Sequence, residues 1–130
     1  SDNSGKIGVL LSFSAKSFNE NVEFFSKQLC MHIAASDPIS IEIEGLDQEI
    51  INKERAIFFE QLKSSGKPED ISKKIVDGKI KKFYSEVCLL EQTFVIDNKT
   101  TVKESIINFN KENNCDFKII NFIIYKLGQD

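Results

Sequence analysis

The stretch DFKIINFIIYKL, Asp116 to Leu127, decides the fold. Strict alternation places Phe117, Ile119, Ile123, Tyr125 and Leu127 on one face of a strand and Ile120, Phe122 and Ile124 on the other. Both faces are apolar, which predicts a central strand covered on both sides. A second such run, KIGVLLSF, is short and β-branched and predicts a buried strand over Ile7–Phe13, central rather than at an edge. Ile39, Ile41 and Ile43 alternate with Ser40, Glu42 and Glu44, the period of a strand wet on one face. TFVIDNK, Thr93 to Lys99, adds a short apolar run closed by a turn.

Helices fill the intervals. Ser17 with Glu20 has the spacing of a capping box, so a helix is expected to start near Phe18. Its apolar positions Phe18, Val22, Phe25 and Leu29 form one stripe whose next member is His32, and Asp37-Pro38 ends it. From Leu46 to Val87 the period is helical, with one break at SSGKPED, where Gly66 suits a left-handed residue and Pro68, Glu69 and Asp70 suit a first turn. The first helix carries Ile50, Ile51, Ile57, Phe58 and Leu62; the second carries Ile71, Ile75, Val76, Ile80, Phe83 and Val87. This is more apolar surface than two helices hide between themselves, so the hairpin must pack on the sheet, on another chain, or on both. Thr101 and Glu104 form another capping box, opening a helix over Val102–Glu112 that Asn113-Asn114 stops. The expected class is α+β: a small, mostly antiparallel sheet packed with helices, formed by residues 1–45 and 91–130, with an inserted antiparallel helical hairpin over 46–90.

At 130 residues and 41% apolar content the chain fits one folded domain. Seventeen basic against 20 acidic side chains leave a net charge of -3, which gives no field for non-specific binding to nucleic acid or an anionic bilayer. No window approaches the roughly 20 apolar residues of a membrane span, and the chain reads as soluble and cytoplasmic. Cys30, Cys88 and Cys115 lie far apart without CxxC spacing, as reduced thiols would. The polar start SDNSGK carries no Met and reads as the edge of one part of a longer protein.

His32 is the only histidine and stands beside Met31, the only methionine. Catalysis would need a nucleophile or orienting acid, and there is neither a second His nor a Gly-x-Ser-x-Gly elbow. One His with three scattered Cys lacks the spacing of a metal site. Packing or an interface fits it better, and at a helix C-terminus the dipole would favour its protonated, donating form. SGKPED falls short of a phosphate-binding loop. Glu42 and Glu44 read as solvated residues of a wet strand face. No catalytic group, metal or cofactor is expected. Lys73, Lys74, Lys79, Lys81 and Lys82 leave open an RNA-binding module as the alternative, although Glu69, Asp70, Asp77 and Glu86 interleave with them, as on a solvated face. No Gly-x-x-Gly loop or aromatic RNA-binding strand is present.

GKIGVLLSF, MHIAASDP, QLKSSGKPEDISKKIVDGKIKKFYSEVCLLEQTFVID and TVKESI, in this order and spacing, together resemble bacterial elongation factor Ts over essentially the whole chain. The resemblance implies a guanine nucleotide exchange factor acting on the GTPase elongation factor Tu in translation. It implies that this chain is the C-terminal core subdomain with the helical dimerisation arm, whose apolar residues are Ile51, Phe58, Leu62, Ile71, Ile75, Ile80 and Phe83. The turn with Phe94, Val95 and Ile96 would contact Tu, Ile96 standing where relatives often have Met, and Met31 and His32 would border that surface. The family's Thr-Asp-Phe-Val motif, its N-terminal ubiquitin-associated-like domain and its short C-terminal helix have no counterpart in this sequence, and the family's histidine before the first strand aligns near Asn3. The implied function is docking on Tu without the element that triggers exchange. A homodimer through the arm is expected, and direct contact with nucleic acid or membrane is not.

Overall fold

Lys6–Ser14 (β1) and Lys118–Leu127 (β2) pair antiparallel and make up the whole sheet among the described residues. The computed structural model describes residues 6–128. The expectations on Asn3 and on the first five residues of the opening SDNSGK lie outside them. Leu10 is paired with Ile123 and Gly8 with Tyr125, but the register breaks once: Ser12 meets Asn121 whereas Phe13 meets Ile119. Ile120 is the extra residue of a β-bulge. A single inserted residue reverses the alternation, so Phe117 and Ile119 before it and Phe122 and Ile124 after it all pack on the core. This corrects the face assignment made from strict period two. Ile120, Ile123 and Tyr125 are exposed with Leu10 on the other face, so neither strand is the doubly covered central strand expected.

Glu20–Ser36 (α1) covers the apolar face of β1. Its cap is Asn19, not Ser17: the Asn19 side chain accepts the Val22 N–H at 3.0 Å, and Phe18 lies outside the helix, exposed and stacked on Phe13. Both residue types cap equally well, and the expected box gave way to an equivalent cap two positions later. The buried stripe is then Val22, Phe25, Leu29, His32 and Ile33. Asp37 closes the helix in the left-handed region at φ 48°, its N–H on the Ile33 carbonyl. Val102–Asn113 (the last helix in the chain) opens on the predicted capping box, with the Glu104 N–H on Thr101 Oγ1 at 3.1 Å and the Thr101 N–H on Glu104 Oε1 at 2.8 Å.

Aromatic rings make the centre of the core. Phe25 stacks on Phe109 at 4.3 Å and meets the edges of Phe117 at 5.1 Å and Phe94 at 6.2 Å. Such offset and edge-on pairs add to the burial of the rings themselves. Asn110 fixes the entry to β2 from both sides, accepting the Phe117 N–H at 2.8 Å and donating to the Phe117 carbonyl at 3.1 Å.

Two further helices, Gln48–Leu62 (α2) and Glu69–Val87 (α3), form the hairpin, which makes Val102–Asn113 α4. Gly66 joins them at φ 71°, the left-handed geometry that favours glycine. Ile51, Val76 and Ile80 are buried, Phe58, Leu62, Ile75 and Phe83 half-buried, and Ile57 and Ile71 exposed. Arg55 pairs with Asp77 at 2.9 Å across the hairpin, and the Lys79 ammonium lies 5.5 Å over the Phe58 ring.

The expected strand over Ile39–Ile43 does not form. Its backbone bonds go to the exit of α3 instead: Ile39 N–H to Val87 O, Leu89 N–H to Ser40 O and Leu90 N–H to Ile41 O, a single parallel bridge. Ser40 is buried and Ile39 exposed, the reverse of the predicted faces, because the Ser40 hydroxyl bonds the Glu42 carbonyl and Cys88 Sγ. A 3-10 turn follows at Ile43–Gly45. Thr93 to Lys99 likewise makes no strand of the sheet. It folds back on itself through the Thr93–Thr101 bridge and the Phe94 N–H on Thr100 O.

A braced apolar surface as the candidate functional site

The turn after Gln92 is built by its own polar residues. The Asp97 carboxylate accepts from the Lys99 and Thr100 N–H groups and from the Thr100 hydroxyl at 2.6 Å; the hydroxyl bond foremost holds its pKa below the ordinary value. Asn98 sits at φ 56°, where asparagine is tolerated, and its N–H meets the Phe94 carbonyl. Within this frame Phe94 points into the core while Val95 and Ile96 point out, 41% and 40% exposed.

His32 ties that turn to α1. Its Nδ1 accepts the Val95 N–H at 3.1 Å, so the proton must sit on Nε2, which donates to Gln92 Oε1 at 2.8 Å. Gln92, itself buried, passes its amide protons to the carbonyls of Glu86 at 2.8 Å and Ser36 at 3.4 Å. One polar chain thus runs from the turn through α1 to the last turn of α3. His32 is fully buried, and burial lowers its pKa, with the Gln92 bond acting the other way. Since Nδ1 accepts and Nε2 donates, the ring is a neutral acceptor and donor in one, rather than the protonated form that its place near a helix C-terminus pointed to.

The predicted contact residues separate into two roles. Phe94 and His32 are interior; Met31, Val95 and Ile96 lie at the surface where α1 meets the turn. Phe24, exposed at 65% and seven residues before Met31, lies on the same helix line. Sequence reasoning missed Phe24 and Gln92. A second helical stripe through Phe24, Gln28 and Met31 would have pointed to the first; nothing local in LLEQTF marks the second.

A groove of about 460 Å³ lies between α4 and β2, lined by Ile41, Leu90, Ile106, Ile107 and Phe117 with Lys103 and Lys118. Among the described residues no three His, Cys, Asp or Glu side chains gather as a metal site, and no helix is long and apolar enough to cross a membrane. Cys30, Cys88 and Cys115 are free thiols, and burial raises the pKa of Cys30 and Cys88.

Fold and site together define a small α+β module whose distinctive exposed feature is an apolar turn held from beneath by a buried polar chain. The family model described as elongation factor Ts matches residues 2–129. The chain is 46% identical over 129 residues to elongation factor Ts of Rickettsia bellii (strain OSU 85-389), covering 98% of this chain and 41% of that protein. It is 44% identical over 128 residues to elongation factor Ts of Rickettsia massiliae (strain Mtu5), with the same coverage. This chain belongs to the elongation factor Ts family. It spans about 41% of the length of the curated relatives it matches.

Proposed function

We propose that this chain is the docking part of a guanine nucleotide exchange factor, seating on elongation factor Tu through Val95, Ile96 and Met31. The observation that carries this is the braced turn: two apolar side chains held outward by a frame that costs little further ordering on binding. Family membership supports Tu as the partner. In the complete factor, tighter binding to nucleotide-free Tu than to GDP-bound Tu weakens GDP by the same ratio, since linkage is reciprocal. The residues of this chain carry the docking surface and no Thr-Asp-Phe-Val motif.

Residues 46–90 act as an arm separate from the core of 1–45 and 91–130. Of the arm residues the resemblance implies, Phe58, Leu62, Ile71, Ile75 and Phe83 keep apolar surface on the hairpin, and through these two copies associate. Concentration-dependent light scattering is expected to show a dimer, and a monomer throughout would remove this part.

The test of docking is titration of the chain into Tu loaded with fluorescent GDP, with binding and release followed together. Binding without release is expected. The double substitution Val95→Ala and Ile96→Ala should lower affinity by roughly 1–4 kcal/mol, as for truncated anchors. Unchanged affinity would refute the site. Binding that collapses with added salt would favour the lysine-rich face of α3 and a nucleic acid partner instead.

A further inference from the structure

We infer that His32 is a positioning residue for partner docking: its Nδ1 lone pair holds the Val95 amide, and through it sets the outward direction of Val95 and Ile96. The inference rests on the docking surface proposed above and deepens it. Three observations carry it. The ring has no solvent exposure, so it cannot itself be a contact. Both of its nitrogens are used within the protein, one on each side, so the Val95 N–H fixes the tautomer and Gln92 holds the ring orientation. Gln92 is in turn anchored on the Glu86 and Ser36 carbonyls, which belong to different helices, so the strut has a rigid foot.

The Val95 N–H has no strand partner, since this segment pairs only at Thr93 and Phe94. The imidazole therefore supplies the acceptor that a neighbouring strand would supply elsewhere. Removing that acceptor leaves a buried-side N–H free to turn toward water, and the two apolar side chains that follow it lose their fixed direction.

Two substitutions separate the two ring nitrogens. His32→Asn places an amide oxygen where Nδ1 stood and loses the reach to Gln92; His32→Gln reaches Gln92 and loses the acceptor for Val95. In the whole chain, amide hydrogen exchange at Val95 and affinity for Tu are measured on both variants. His32→Gln is expected to speed Val95 exchange roughly three- to tenfold and to weaken Tu binding by a similar factor, the worth of one hydrogen bond. His32→Asn should restore most of both. Equal Tu affinity for the two variants overturns the inference. A second measurement needs no substitution: in the unaltered chain, scalar coupling across the Val95 N–H···Nδ1 bond is expected, and its absence with unprotected Val95 exchange overturns the strut. If Val95→Ala with Ile96→Ala leaves affinity intact, the docking surface fails; if that variant loses affinity and His32→Gln does not, only the role of His32 fails.

Discussion

Replacing Phe94 with Ala tests the division between interior and surface in the turn. Phe94 is 4% exposed and meets the edge of Phe25 at 6.2 Å and the His32 ring at 5.7 Å. Truncating a buried phenylalanine removes its transfer energy and leaves a cavity, which together cost about 3–5 kcal/mol. The ring sits against Phe25, which also stacks on Phe109 and meets Phe117, so neighbouring rings cannot close the gap without breaking those pairs, and the upper half of that range applies. A domain of this size has about 5–15 kcal/mol in all, so Phe94→Ala takes up a large part of it. By the usual entropy per residue the melting temperature falls by roughly 10–20 °C. The assay is urea and thermal unfolding followed by circular dichroism, with Val95→Ala as the control, expected to stay within about 0.5 kcal/mol of the parent. A Phe94→Ala protein that melts with the parent but no longer binds Tu would refute the assignment and make Phe94 an outward anchor.

Acidification should act through His32. Its pKa is lowered in the folded state, chiefly by burial, and its ring meets only neutral groups: the Gln92 amide, the Val95 N–H and the Phe94 ring. The unfolded chain then takes up the proton first, so the contribution is complete above about pH 6.5 and is lost as pH falls from there toward the folded value. Denaturant midpoints of the parent should drop on acidification relative to those of His32→Gln, and parallel profiles would contradict this. Thr101→Ala removes the hydroxyl that accepts the Glu104 N–H and keeps the Thr101 N–H bond to Glu104; it should cost about 1 kcal/mol in unfolding free energy, and a change below a few tenths would contradict the cap. Arg55 and Asp77 are partly exposed, so a double-mutant cycle across that pair should give no more than about 1 kcal/mol of coupling.

Helices were legible because their signals are local. The Thr101 box, the Gly66 turn and the stripe leading to His32 are each set by side chains a few residues apart. Ser17 misled only because Asn19, an equally good cap, stood two positions on. The strands failed for a different reason, since pairing is decided at a distance. Nothing in DFKIINFIIYKL marks Ile120 as a bulge, which exists only because Phe13 and Ile119 must both reach the core. Ile39 to Ile43 alternates as a strand should, yet its bonds went to the end of α3. At the site, apolar character identified the turn but not which of Phe94, Val95 and Ile96 faces inward, because a turn has no period. Burial of His32 followed from the stripe; its tautomer is set by the Val95 N–H, 63 residues away.

The joint between residues 39–41 and 87–90 has a consequence for how this chain can change in length. Three backbone bonds hold the entry and exit of the hairpin side by side, and Leu46, Ile51 and Cys88 form a small cluster of their own beside that joint, apart from the aromatic core. Toward the sheet, everything between the two crossing points is one closed loop. Closing a longer or shorter loop between fixed ends changes the entropy only as the logarithm of its length. Whole helical turns can therefore be added to or trimmed from α2 and α3 in step, about four residues each, while the base stays sealed. Length variants among homologues, and grafts of foreign hairpins, should concentrate at the Gly66 tip and leave Ile39–Ile41 and Val87–Leu90 alone.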